Sequence, residues 1–129
     1  MAIYPTAEQI QTLLAGPQDR PVVMVNLLRF KPQADGTDAG MSGEEAYRRY
    51  VEDMRKIVEA AGGRIFWTGR VDSVVIGDEH ARFDMIGLVE YPSRRKFVEI
   101  ALSDAVREIG VHRAAGLESQ WLIATTEER

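Results

Sequence analysis

Cysteine is absent from this 129-residue chain, and histidine occurs only twice. That excludes disulfides, thiolate metal sites and a cysteine nucleophile, and it leaves too few imidazoles for a histidine-built metal cage. A cysteine-free composition fits the reducing cytoplasm, the expected location. No segment approaches the ~18 apolar residues of a membrane helix. The first residues do not read as a secretory leader: they lack a basic start and place Glu8 where an apolar run should be. Positive charge is not in excess either, with 16 basic against 20 acidic residues and a net charge of −4. Neither half of the chain is basic, so neither nucleic acid nor an anionic membrane is an expected partner. Phosphate-loop, G-x-G-x-x-G, G-x-S-x-G and H-E-x-x-H patterns are all missing, and no cofactor or metal is expected.

The chain does have enough apolar residues, 45% of the total, to bury a core. Its length is that of one domain over residues 1–129, with a core at about 21–125. Thr6 and Gln9 form a capping box for a short first helix, whose apolar stripe is Ile10, Leu13 and Leu14 and which Gly16-Pro17 ends. Val22 to Phe30 is a strand that is apolar on both sides, the pattern of a central strand. Residues 32–43 form a loop rich in glycine and aspartate. Ser42 and Glu45 cap a second, amphipathic helix, which Gly62-Gly63 closes. A second strand starts at Arg64 and continues through a kink near Gly69 or Asp72 to residue 76. A turn follows over 77–81, then a third strand over 83–91 that Pro92 stops. Ser93 and Ser103 start two further helical pieces, Gly116 ends the second, and Leu117 to Thr125 is the last strand.

After the first helix the order is therefore strand–helix–strand–strand–helix–strand. This is an α+β chain of the ferredoxin-like, or split βαβ, kind: an antiparallel sheet with helices on one face. Val22, Met24, Asn26, Leu28 and Phe30 point to one side of the first strand, and Val23, Val25, Leu27 and Arg29 to the other. Both sets are largely apolar, yet the helices cover one. A homodimer closing through the open sheet face is the economical expectation.

Four segments carry a family resemblance: Pro21-Val-Val-Met-Val-Asn-Leu-Leu-Arg-Phe-Lys31, Gly62-Gly63-Arg64, Val89-Glu-Tyr-Pro-Ser93, and His112-Arg-Ala-Ala-Gly-Leu-Glu-Ser119. In their order and spacing, over about residues 21–125, the chain resembles the domain of unknown function 1330 family of the dimeric α+β barrel superfamily. The resemblance implies a ferredoxin-like protomer in a two-fold barrel. The wider superfamily includes cofactor-free monooxygenases, lactone isomerases and haem-degrading enzymes. The helix over residues 6–15 lies outside the shortest form of the family.

Six residues are candidates for a site. Asn26 is a lone amide in an apolar strand, so it needs partners: a ligand, or a network that fixes packing. His112 lies three residues after Ile109 and is expected to lean toward the sheet. It is the candidate catalytic base, with a helix-terminal histidine as the alternative. Arg113 offers a planar fork for a carboxylate, or an ion pair within the chain. Arg29 is a weaker candidate of the same kind. Asp84 could orient a histidine or simply be exposed. Trp67 could floor an aromatic pocket or pack in the core. The basic run Arg94-Arg95-Lys96 reads as a solvated face. Two functions follow as expectations. One is a cofactor-independent enzyme acting on a small organic acid or aromatic, with His112 moving a proton, Arg113 and Asn26 holding oxygens, and Trp67 stacking. The alternative is a non-catalytic dimer that binds a small ligand.

Overall fold

A computed structural model describes residues 3–78, 80 and 82–128. Four strands, β1 (Val22–Phe30), β2 (Arg64–Arg70), β3 (Met85–Tyr91) and β4 (Leu117–Thr125), form one sheet in the order β2-β3-β1-β4. Every neighbouring pair is antiparallel. Helix α2 (Gly43–Ala60) connects β1 to β2, and α3 (Arg94–Ala101) with α4 (Asp104–Gly116) connects β3 to β4. This is the ferredoxin-like arrangement that the element order predicts.

The strand that is apolar on both sides is central, paired along its length with β3 and β4. Its helix-facing residues Val22, Met24 and Leu28 are buried against Tyr47, Met54 and Val58 of α2, Tyr91, Ile100 and Leu117. Both predicted capping boxes form. Thr6 and Gln9 cap α1 (Ala7–Leu14), and Ser42 and Glu45 cap α2, each serine or threonine side chain accepting from the backbone N–H three residues on. Helix α1 lies along α3 and reaches the core through Leu13.

Three chain segments meet where β1 ends, α2 starts and α4 ends. Lys31 N–H donates to the Gly116 carbonyl at 2.8 Å, and Gly43 N–H donates to the Lys31 carbonyl at 3.1 Å. The approach is too close for side chains. A Cβ on Gly43 would stand 2.1 Å from the Lys31 carbonyl oxygen, and one on Gly116 would stand 2.3 Å from that of Gly43.

Four details differ from the sequence expectation. Strand β2 stops at Arg70, because β3 begins opposite it at Met85 and, among the described residues, no strand pairs with the chain beyond Val71. Val75 and Ile76, 89% and 93% exposed, have strand propensity but neither a partner strand nor a core to lie on. Strand β3 likewise starts two residues late, since Asp84 turns its carboxylate to the Phe30 N–H, 2.8 Å away. In the turn after β2, His80 N–H donates to the Asp78 carboxylate; Glu79 and Ala81 of that turn lie outside the described residues. The basic run divides: Arg94 is buried, while Lys96 pairs with Glu99. Arg94 donates to the Pro17 carbonyl and the Thr126 hydroxyl, both at 3.2 Å, and so ties the end of α1 to the chain after β4.

The second side of the sheet carries no helix. The register puts Val23, Val25, Leu27, Ile86, Leu88, Trp67, Trp121 and Ile123 on this side together. Trp67 and Trp121 are 51% and 62% exposed there, with Phe83 meeting the Trp121 ring edge-on at 5.8 Å.

The glycine crossing sets a test. Gly116→Ala should lower the stability measured by urea unfolding by about 2–4 kcal/mol, because a methyl group there must displace backbone. Gly110, in the same helix, has nothing within 4 Å of its would-be Cβ. Gly110→Ala should instead raise stability by about 0.5–1 kcal/mol through helix propensity.

Candidate functional site

A cleft runs between the helix-facing side of the sheet and the helices. Met24, Asn26, Leu28, Met85 and Gly87 line it from the sheet, Tyr47, Tyr50 and Met54 from α2, and Arg113 from α4. The N-terminal residues Ile3 and Tyr4 close one side.

A polar chain crosses this apolar cleft. Asn26 points to the helix side because strand alternation puts it with Met24 and Leu28. Its Oδ1 accepts from Gln120 Nε2 at 2.8 Å, and its Nδ2 donates to the carbonyls of Gly87 (3.3 Å) and Met24 (3.4 Å). Gln120 Oε1 in turn accepts from Arg113 Nη2 at 2.6 Å. Arg113 also donates to the Ile3 carbonyl, and its guanidinium lies 5.3 Å from the centre of the Tyr4 ring. No carboxylate among the described residues pairs with Arg113. The cleft therefore holds a cation whose neighbours are an amide, a carbonyl and aromatic rings. Burial pushes the Tyr47 and Tyr50 phenols above their usual range, while the nearby Arg113 guanidinium pulls both back in part. Burial likewise raises Tyr91.

The other candidates lie elsewhere. His112 does not lean toward the sheet. A step of three residues from Ile109 turns it about 60° round the helix, and it faces the loop before α2. There its Nδ1 donates to Asp38 Oδ2 at 2.6 Å, and Arg49 lies 3.3 Å from the other oxygen of the same carboxylate. Asp38 is 1% exposed and ends a short 3-10 turn, Gly36–Asp38. The buried carboxylate is thus held by two donors, and His112 anchors the loop to α4. Arg29 and Trp67 lie on the open side of the sheet, with the Trp67 ring over Gly69, where an added Cβ would be 2.2 Å from the indole. The Asp84 carboxylate is taken by the Phe30 N–H. Of the six candidates the structure brings together Asn26 and Arg113.

Sequence reasoning passed over Gln120, Tyr47, Tyr50 and Asp38. Gln120 had a signal: it shares its parity with Leu122 and Ala124, so an amide stands in line with apolar residues on β4. The tyrosines read as part of an apolar stripe. Asp38 sits in a loop whose composition hides one buried carboxylate among several exposed ones. Among the described residues, no group of histidines and carboxylates is arranged to hold a metal.

The profile of DUF1330, a domain of unknown function, matches residues 38–126. The chain belongs to the DUF1330 family. The match begins after β1, so the segment Pro21–Lys31 lies outside it. A crystal structure of a protein of unknown function from Rhodopseudomonas palustris is 33% identical, with a TM-score of 0.89 over 98% of this chain and 97% of that one. Two more distant structures share the fold. A hydroxynitrile lyase from Passiflora edulis has a TM-score of 0.62 at 13% identity, covering 85% of this chain and 95% of that one. A dabb family protein with a ferredoxin-like fold from Mesorhizobium loti has a TM-score of 0.56 at 14% identity, covering 84% and 98%. Functionally curated proteins give no match. No helix among the described residues is long and apolar enough to cross a membrane.

The position of His112 gives a second test. His112→Ala should lower stability by about 1–3 kcal/mol in chemical unfolding, because it removes a donor from a buried carboxylate. Binding in the cleft should be unchanged in the same variant, which titration calorimetry with a cleft ligand measures.

Proposed function

We propose that this DUF1330 protein binds a small organic acid in the cleft between sheet and helices, with the acid's carboxylate against Arg113. The observation that carries the reading is the Arg113 guanidinium itself. It is planar, it is partly shielded from water, and it is bonded to an amide and a carbonyl rather than to a carboxylate. Its Nη2 hydrogens go to Ile3 and Gln120, so the Nη1 and Nε donors are the ones left for a carboxylate, which becomes bidentate if it displaces the Ile3 carbonyl; a charge-assisted pair is stronger there than in water. Asn26 and Gln120 hold the fork in orientation. The half-buried Val51, Met85 and Val89 offer an apolar wall to the rest of the ligand. Binding without chemistry is favoured over catalysis because His112 faces Asp38 outside the cleft, and the cleft tyrosines are shifted away from neutral pH.

The test is calorimetric titration with 4-phenylbutanoate and with its neutral amide. The acid should bind the wild-type chain, and Arg113→Met should weaken it at least about tenfold, the cost of one charged hydrogen bond. The amide should bind weakly to both. Equal affinity of Arg113→Met and wild type for the acid would remove Arg113 from the site.

We further propose that the open side of the sheet is covered by a second copy of this chain. The support is its area of contiguous apolar residues, with Trp67 exposed on one edge strand, β2, and Trp121 and Ile123 on the other, β4, and the prevalence of two-fold pairs among like chains. Sedimentation should give twice the protomer mass of 14.5 kDa. Trp121→Lys should shift it to one protomer; a monomeric wild type rejects the pairing.

A further inference from the structure

Three tyrosines of the cleft have hydroxyls that the fold does not use. Tyr47 and Tyr91 are only 6% and 5% exposed, and Tyr50 packs against both halves of the core between them. Their rings are accounted for: Tyr47 packs at a tilt, 5.5 Å between centroids, against both Phe30 and Tyr50, and Tyr91 meets Phe97 edge-on at 5.0 Å. Their hydroxyls are not, since none has a hydrogen-bond partner among the described residues. A phenol sealed in a core without a partner is rare, because the lost hydration costs about 1–3 kcal/mol. These three are not sealed. No fully buried side-chain oxygen lacks a partner among the described residues, so each hydroxyl reaches open space, and all three tyrosines line the cleft. They are also mutual neighbours: a charge on Tyr50 would act on both Tyr47 and Tyr91, and Arg113 acts on Tyr47 and Tyr50.

A neutral phenol facing a ligand oxygen donates its proton. Tyr47, Tyr50 and Arg113 therefore present donors to one region of the cleft, and Tyr91 presents another further along, toward the start of β1, where it pairs with Val22. Building on the acid-binding reading above, we propose that the Tyr47 and Tyr50 hydroxyls complete the carboxylate cradle of Arg113, and that Tyr91 reads a second acceptor oxygen. The ligand class is then an apolar acid carrying an additional oxygen, an oxo or hydroxy acid, rather than a plain hydrocarbon acid.

The test compares 4-phenylbutanoate with 4-oxo-4-phenylbutanoate by calorimetry on the wild-type chain and on Tyr47→Phe, Tyr50→Phe and Tyr91→Phe. Each change keeps the ring and deletes the hydroxyl. Wild type should prefer the oxo acid. Tyr47→Phe and Tyr50→Phe should each weaken both acids at least about tenfold, and Tyr91→Phe only the oxo acid. The melting temperature without ligand should stay level or rise in all three variants, since no bond within the fold is lost. Unchanged affinity for both acids in Tyr47→Phe and Tyr50→Phe overturns the cradle and leaves the Arg113 reading standing. A fall in the unliganded melting temperature with equal loss of both acids in all three variants assigns the hydroxyls to the fold and also overturns it. Equal wild-type affinity for the two acids overturns the second-oxygen role of Tyr91. No binding of either acid to the wild type overturns the acid-binding reading and the cradle with it.

Discussion

The contact between Gly43 and Gly116 governs the geometry of everything on the helical side of this sheet. Two helix ends and the end of the central strand share backbone hydrogen bonds at that point, with Lys31 between them. One turn along α2 from the crossing stands Tyr47. One turn back along α4 stands Arg113, and four residues past the crossing on β4 stands Gln120. The distance between phenol and guanidinium is therefore set by how closely two glycine backbones approach. A methyl group at the crossing would push the helices apart by more than a hydrogen bond tolerates. Tyr47, Arg113 and Gln120 all lie on regular elements within about a turn of that one junction.

Much of this fold could be read from residue order. The capping signals at Thr6, Ser42, Ser93 and Ser103 each mark a helix start that the structure shows, because a hydroxyl accepting from the third N–H is a local interaction. The double-sided apolar pattern of β1 placed it in the centre for the same sort of reason. Legibility ended where a residue's state depends on a partner distant in sequence. Val74, Val75 and Ile76 look like strand but have no strand to pair with. Arg94 looks solvated but fits over Gly16, where a Cβ would be 2.5 Å from its Nε.

The candidate site divided in the same way. Asn26 announced itself as polar among apolar neighbours, and Arg113 lies beside the histidine that drew attention to that helix end. A rotation of one residue around α4 separates the two: Arg113 enters the cleft, and His112 meets Asp38, 74 positions earlier in the chain. No spacing rule in a single sequence reports a pair that far apart. The tyrosines were concealed by their own packing. A ring that serves the core and a hydroxyl that faces the cleft belong to one side chain, and hydropathy registers the ring alone.

The bond between Arg113 and the Ile3 carbonyl couples the N-terminal segment to the cleft. That carbonyl occupies one donor of the guanidinium from outside, so a carboxylate bound as proposed would compete with the N-terminal segment for the same hydrogen. Occupancy of the cleft and docking of that segment are then thermodynamically linked, and the linkage is reciprocal: whatever frees residue 3 raises the affinity, and whatever binds Arg113 loosens residue 3. A change that undocks residue 3 would then act on affinity in the cleft, although it touches no residue of the cleft floor.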